Sequence, residues 1–328
     1  MTLQTEKPLA YAKIQKYNEM IEAGKSIAII QLQYSYACNF HCSHCSILNF
    51  RTQSGRMLDV EKVKDISKQA DEYGLAQWGL SGGEPLVFRE LPELIEALMP
   101  DRFHIQMDTN GWLMTKQKAK FVKSLGVDKI QISIDGMDAE LHDSFRRKPG
   151  SHARCIRAME AVKEAGMQLQ IATVVDHERA NSEELERFFE FCQINGGAPS
   201  VVYAKPVGEW AGRTDVLCTQ SDINHVKILL EKYGGYDHTT PQYGIDFGCL
   251  AVKRMISITG FGDVLPCPWM YFSLGNVFDE PLSDILDKGM RYFKDRSPVC
   301  RVSESKEFQK NVLSKLDGLS LPKIEEVM

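Results

Sequence analysis

The stretch Ser26–Cys45 reads SIAIIQLQYSYACNFHCSHC. Its first eight residues, SIAIIQLQ, are an apolar run rich in isoleucine, which predicts a buried β-strand over Ser26–Gln33. Just beyond, Cys38, Cys42 and Cys45 follow one another as C-x3-C-x2-C. Three thiols in eight residues, all in one loop, can converge on a single metal centre. Cysteine thiolates hold iron–sulfur clusters. A cube of four irons held by three thiolates keeps one iron open, and an open metal position is what catalysis needs. Zinc is the competing occupant. Its sites usually show two separated ligand pairs, and here the extra ligands would be His41, His44 or a distant cysteine.

Outward from this strand the pattern repeats. Helical spacing is expected at Pro8–Ala23, Asp59–Tyr73, Thr115–Leu125, His152–Ala165 and Ser182–Ile194. Further strands are expected at Ala76–Leu80, Phe103–Met107, Lys129–Ile134, Gln168–Val175 and Ser200–Tyr203. Six strands in βα alternation imply a parallel α/β sheet, either open and doubly wound or a partial barrel. In both, ligand sites gather at the carboxyl ends of the strands. The unusual motifs fall there: the cysteines, then SGGEP at Ser81–Pro85, DTNG at Asp108–Gly111 and SIDG at Ser133–Gly136. After Ala204 the style changes. Lys205–Thr240 reads as loop with one helix, about Ser221–Tyr233, and a hairpin is expected from Met255–Thr259 and Asp263–Pro266. A helix follows at Leu282–Phe293, and the tail from Val302 to Met328 is polar and partly helical until Pro322.

Composition narrows the function. The chain has 328 residues and a formal charge of −5, so it lacks the basic footprint of a nucleic-acid binder. No apolar run approaches the ~18 residues of a membrane helix. The first 25 residues carry charges throughout and no signal core, so a cytoplasmic location is expected. Nine cysteines, an odd number without a signal peptide, make a poor disulfide framework and point to metal binding or chemistry.

The triplet after a first strand resembles the signature of the radical S-adenosylmethionine (SAM) superfamily. SGGEP resembles its GGEP motif, which receives the SAM amino group; DTNG resembles its third-strand motif. SIDG, followed by HDSFRR at His142–Arg147, resembles its fourth-strand region. The resemblance implies a partial (β/α)6 TIM-like barrel over about 26–205, after an N-terminal helical segment at 1–25. It implies that Cys38, Cys42 and Cys45 hold a 4Fe–4S cluster. His44, Gly82, Gly83, Glu84, Asn110, Ser133, Asp135 and Arg146 are implied around SAM. Glu84 would accept from the ammonium, Arg146 would offer its planar fork to the carboxylate, and the glycines would let backbone approach the ligand. His44 stands where the family usually has an aromatic residue near the adenine.

Cys249 and Cys267 bracket the hairpin in GCLAVKRMISITGFGDVLPCPWMYFSLGN, and Cys300 follows the next helix. The string is similar to the SPASM/twitch extension of the same superfamily. A small C-terminal twitch-like hairpin and helix domain is therefore expected over 245–300, with a connecting segment at 206–244 and a tail at 301–328. The resemblance implies a second, auxiliary 4Fe–4S cluster on these three cysteines. Ser303 stands where a fourth cysteine is common, so the fourth ligand is left open between another side chain, a distant cysteine and none. Cys155 and Cys192 fall in helices and are expected in the core. Cys218 lies in the connecting segment, where a thiol could donate a hydrogen atom to a substrate radical.

The function implied is reductive SAM cleavage and hydrogen-atom abstraction from an organic substrate in natural-product or cofactor biosynthesis. A one-electron donor such as flavodoxin or ferredoxin is required. Only about 25 residues precede the first strand, too few for a leader-peptide-binding domain, which favours a small molecule and its dehydrogenation or epimerisation. A peptide-modifying maturase with a separate leader-binding partner is the alternative. From another class, the candidates are a non-catalytic iron–sulfur electron carrier or a zinc-binding module.

Overall fold

Seven strands lie side by side in chain order, every neighbouring pair parallel: β1 (Ile29–Ser35), β2 (Gln77–Gly82), β3 (His104–Thr109), β4 (Lys129–Ser133), β5 (Gln168–Val175), β6 (Ala198–Tyr203) and β7 (Tyr236–Asp237). They are seen in a computed structural model that describes residues 2–295, 297–316 and 321–328. This is the parallel α/β sheet expected from the βα alternation, in the partial-barrel form that the family resemblance implies. The C-terminal hairpin, β8 (Met255–Ile258) and β9 (Asp263–Leu265), continues the same sheet beyond β1, with β10 (Gly275–Asn276) at its edge. β8 runs parallel to β1 and pairs Ile29 with Met255 and Leu32 with Ile258, so one sheet carries both cysteine sets.

Local sequence explains the elements. The helix Val60–Tyr73 starts where Asp59 accepts from the Lys62 amide at 2.7 Å and stops at Gly74, whose φ is +100°. Its Val63, Ile66, Ser67 and Ala70 are buried, one stripe at helical spacing. Ile30, Leu32, Trp78, Leu80, Ile105 and Met107 of β1–β3 are at most 1 % exposed and build the centre of the core.

Several expectations need correction. The single helix expected over Pro8–Ala23 is broken: helices span Leu3–Glu6, Pro8–Gln15 and Tyr17–Glu22. The break at Lys16 seats Tyr17, whose hydroxyl accepts from the Ala76 amide at 3.1 Å as the chain enters β2. Helices at Leu91–Ala97 and Ala139–Arg146 were not anticipated, nor were β7 and β10. Both strands have two residues, too short for period-2 patterning to register. Helical turns do occur in the expected tail, at Lys306–Asn311 and, beyond Pro322, at Ile324–Val327; residues 317–320 of that tail lie outside the described residues.

The N-terminal helices are tied to the sheet by a buried ion pair. Lys7 Nζ donates to Asp128 Oδ2 at 2.6 Å and to the Gly126 and Phe103 carbonyls at 2.8 and 2.9 Å. The same Asp128 oxygen accepts from the Ile105 amide at 2.7 Å. Lys7→Met should therefore cost about 3 kcal/mol at neutral pH, the lower end for a broken buried pair. Burial already pushes the Asp128 carboxyl upward, so the orphaned group can take up a proton. The loss should shrink on acidification to pH 5, measured by urea denaturation at both pH values.

Candidate active site

The carboxyl ends of β1–β4 and β6 converge on one cavity. Its lining includes Cys38, Cys42 and Cys45 after β1, Gly82, Gly83 and Glu84 at the end of β2, and Asn110 after β3. Ser133 and Arg146 complete that wall, and His44 joins it from the cysteine loop. Tyr203, Lys205, Val207, Trp210 and Trp269 also line the cavity, and Trp210 lies against His44 with ring centroids 5.8 Å apart. Thus ten of the residues expected around SAM and the first cluster, all except Asp135, border one space.

The loop that carries the triplet is held by backbone. β1 shifts register between Leu32 and Ser35, a β-bulge or irregularity that redirects the chain. The Gly83 amide then donates to the Ser35 carbonyl at 2.7 Å, and the Glu84 amide to the Ala37 carbonyl at 2.9 Å. A Cβ on Gly83 would sit 1.9 Å from the Ala37 oxygen, and one on Gly82 would sit 2.6 Å from the Ser35 oxygen. These glycines are needed for the crossing of two chain segments, a different reason from the ligand approach expected of them. On the other side, Glu209 N–H donates to the Ser43 carbonyl at 2.9 Å, and the Tyr271 hydroxyl to the Ser46 carbonyl at 2.7 Å.

Glu84 is fully shielded. Its Oε1 accepts from the Thr109 hydroxyl at 2.7 Å, and its Oε2 from the Asn110 amide at 2.8 Å. Burial outweighs these bonds and pushes its carboxyl up to about 7. Arg146, at the end of its helix, donates from Nε to Asp135 Oδ2 at 2.5 Å, and its Nη1 lies 3.9 Å from Cys42 Sγ. Asp135 also accepts from the Val174 amide at 2.8 Å and does not line the cavity. Burial would raise its carboxyl, but the Arg146 guanidinium, with Arg179, holds it well below the usual range. Asp135 is therefore a positioning residue for Arg146. His44 stacks on Phe145, with centroids 4.6 Å apart. Burial, reinforced by Arg146, lowers its imidazole to about 3 and keeps it neutral. Its buried Nδ1 has no partner among the described residues.

The second cysteine set also assembles. Val252 N–H donates to the Pro266 carbonyl at 2.9 Å, and Cys249 N–H to the Ser297 carbonyl at 2.8 Å, which draws Cys249 towards Cys267 and Cys300. All three are buried. Burial raises the Cys249 and Cys267 thiols, helped by the neighbouring cysteines. At Cys300 the nearby His238 and Lys205 overcome burial and lower the thiol. Cys218 does not reach the cavity lining: its thiol donates to the Val175 carbonyl at 3.4 Å within the core. The placement gives no support to a hydrogen-donor role. Cys155 and Cys192 are core residues as expected.

Sequence reasoning missed Lys205, Trp210, Trp269 and His238. Position was the available signal: Lys205 lies just past the end of β6, after Ala204, and His238 directly follows β7.

The donor chemistry fits an iron–sulfur cube with SAM beside it: three thiols, a guanidinium, a buried carboxylate and an orphaned ring nitrogen share one cavity. Comparison with known proteins agrees. The radical SAM superfamily model matches residues 32–192, and an iron–sulfur cluster-binding domain model, SPASM, matches 249–306. The chain is 25 % identical to the AdoMet-dependent heme synthase of Methanosarcina barkeri over 88 % of this chain and 91 % of that protein. It is 26 % identical to the PqqA peptide cyclase of Granulibacter bethesdensis, over 72 % of this chain and 66 % of that protein. The crystal structure of Streptococcus suis SuiB bound to S-adenosylmethionine shares the fold, with a TM-score of 0.63 and 17 % identity over 87 % of this chain and 79 % of that one. The chain belongs to the radical SAM superfamily and is an enzyme with a C-terminal auxiliary iron–sulfur domain. Its cofactors are SAM and two 4Fe–4S clusters.

Gly83→Ala tests the crossing. The added methyl meets backbone, which cannot rotate away, so stability should fall by about 2–3 kcal/mol. Iron uptake at the triplet should fall with it, read by denaturation midpoint and iron analysis.

Proposed function

We propose that this enzyme cleaves SAM reductively and abstracts a hydrogen atom from a small organic molecule seated against Lys205, Trp210 and Trp269, with net oxidation of that molecule. The observation that carries this reading is a single cavity with two unlike sets of lining residues. The triplet, the Gly83–Glu84 turn, Asn110, Ser133 and Arg146 share it with a buried lysine and two indoles. In this reading Cys38, Cys42 and Cys45 hold the SAM-cleaving cluster, and Cys249, Cys267 and Cys300 hold the auxiliary one. The barrel occupies 26–205, and the auxiliary module 245–300. When bound, SAM and its reduced cluster supply a 5′-deoxyadenosyl radical able to take hydrogen from unactivated carbon.

The chain's own residues do the positioning. Glu84 accepts from the SAM ammonium, Arg146 faces the carboxylate while Asp135 holds its fork, and His44 offers a neutral flat surface beside the adenine. Asn110 and Ser133 offer polar groups to the ribose. The indoles of Trp210 and Trp269 exclude water from the substrate side. Lys205 is 3 % exposed and donates to the Tyr203 carbonyl at 3.0 Å; among the described residues it has no carboxylate partner. A buried ammonium so placed suits a substrate with an anionic group. After hydrogen-atom abstraction the substrate radical would pass an electron to the auxiliary cluster and release a proton to solvent, which completes the oxidation; epimerisation would instead need a hydrogen donor at the substrate, and Cys218 is not in the lining. The likeness to the heme synthase over most of both chains supports a small-molecule substrate. The likeness to the peptide cyclase supports peptide modification as the second reading. A low-potential donor such as a flavodoxin or ferredoxin in the cytoplasm would supply the electron.

Anaerobic incubation of reconstituted enzyme with SAM and dithionite should release 5′-deoxyadenosine. Cys38→Ala/Cys42→Ala/Cys45→Ala should release none while keeping about four irons at the second site. Release by that variant would refute the assignment of the triplet.

SAM affinity should also depend on pH. The Glu84 carboxyl stands near 7 in the free protein because of burial, and it must be ionised to hold an ammonium. Binding therefore expels a proton below pH 7. Affinity should fall by up to about tenfold per pH unit on acidification and level off above pH 8. Glu84→Ala should lose at least about tenfold in affinity at pH 8, consistent with ~2–5 kcal/mol for one partner of a desolvated charge pair. It should also flatten the pH profile in anaerobic titrations.

A further inference from the structure

The three auxiliary cysteines account for three irons of a four-iron cube. We propose that His238 supplies the fourth ligand, giving an auxiliary cluster held by three cysteines and one histidine. The proposal rests on the two-cluster reading and goes beyond it.

β7 extends the parallel sheet through the pairs Ser200–Tyr236 and Val201–Asp237, so His238 leaves the carboxyl edge where the other functional residues stand. The loop is pinned by Asp237, which is 2 % exposed. Its carboxylate accepts from the Tyr203 hydroxyl at 2.8 Å, the Thr239 amide at 2.8 Å and the Thr240 hydroxyl at 3.0 Å. The imidazole lies among Tyr203 and Trp269, with ring centroids 5.5 and 6.0 Å away. A ring nitrogen, Cys300 Sγ and a Glu304 carboxylate oxygen all lie within 4.8 Å of one another. Both ring nitrogens are shut off from solvent, and no partner of normal hydrogen-bond geometry reaches them among the described residues; the Cys300 thiol meets the ring only loosely. A buried polar nitrogen without a partner is costly unless something else occupies its lone pair.

Two neighbours compete for the role. Glu304 already accepts from the Cys300 amide at 2.8 Å and so serves the loop that carries the cysteine. The Ser303 hydroxyl is buried and also lacks a partner. It would have to lose a proton from a group far less acidic than a thiol, whereas neutral imidazole ligates as it stands. Histidine ligation of iron–sulfur centres is chemically established and raises their potential relative to thiolate ligation.

The test uses the full reconstituted chain without SAM, reduced with dithionite and examined by pulsed EPR. Wild-type protein holding about eight irons should show a strongly coupled nitrogen. Histidine labelled with 15N should change that coupling to the pattern of the heavier isotope. His238→Ala and His238→Cys should abolish it, and Ser303→Ala should retain it. His238→Cys should keep about eight irons and give the second cluster a lower midpoint potential, which guards against simple loss of folding in the alanine variant. Wild-type protein with about eight irons and no coupled nitrogen overturns the assignment and leaves the two-cluster reading intact. A nitrogen signal that survives in both His238 variants also overturns it. Wild-type protein that never exceeds about four irons overturns the auxiliary cluster itself, and the assignment with it.

Discussion

The double pairing of β1 is the constraint on which the rest depends. One edge of this strand bonds to β2 and the other to β8, each in parallel register. Side chains reinforce the second seam: Gln33 donates to Ser257 at 3.0 Å, and Ser26 to the Val252 carbonyl at 2.5 Å. Because β1 is buried between two neighbours, the position of its carboxyl end is set from both sides. The triplet hangs from that end. The turn after β2 crosses it through Gly83, and Tyr271, beyond the hairpin, grips its last residues at Ser46. The geometry of the cysteine loop therefore depends on hydrogen bonds that three distant segments make to its backbone more than on the cysteines themselves.

Charge is arranged around this loop with similar economy. Asp135 has no opening to the cavity, but it determines what Arg146 can do there. The guanidinium spends two nitrogens on one carboxylate oxygen and leaves the third towards Cys42. A buried pair of this kind adds little net stability, since desolvation offsets most of the attraction. Its value lies in direction: a flexible arginine becomes a fixed positive wall beside thiols that must become thiolates. Glu84 is treated in the opposite way. It is buried without a cation, so its carboxyl stays poised for one.

Much of this could be read from the residues. The strand rhythm and the motifs at strand ends named both the sheet and the first wall of the cavity, because short motifs at fixed places in a βα unit carry topological information. Asp59 and Gly74 marked a helix correctly for the same local reason. The rest of the cavity lining was harder. Lys205 and Trp210 belong to no motif, Trp269 gave no signal of its own inside the twitch-like string, and the three meet where the chain beyond β6 folds back over the cysteine loop. Gly208 shows the closeness of that return: a Cβ there would lie 2.5 Å from the Cys45 carbonyl oxygen. His238 was hidden because a two-residue strand leaves no periodic trace. Cys218 misled because a place in the chain says nothing about which way a thiol points, and this one points into the core. Gly83 was recognised as necessary, but the partner it approaches is the neighbouring chain.

The insertion of β8 beside β1 has a consequence for the birth of the molecule. The first strand leaves the ribosome more than 200 residues before the strand that closes its outer edge, as the pairing of Ile29 with Met255 requires. Until then a row of free amides and carbonyls lies open on an apolar strand, the kind of edge that recruits other chains. The C-terminal module thus covers an aggregation-prone edge once the chain is complete, quite apart from any metal it carries. A gene cut before Met255 would be expected to yield a sticky fragment in place of a smaller enzyme.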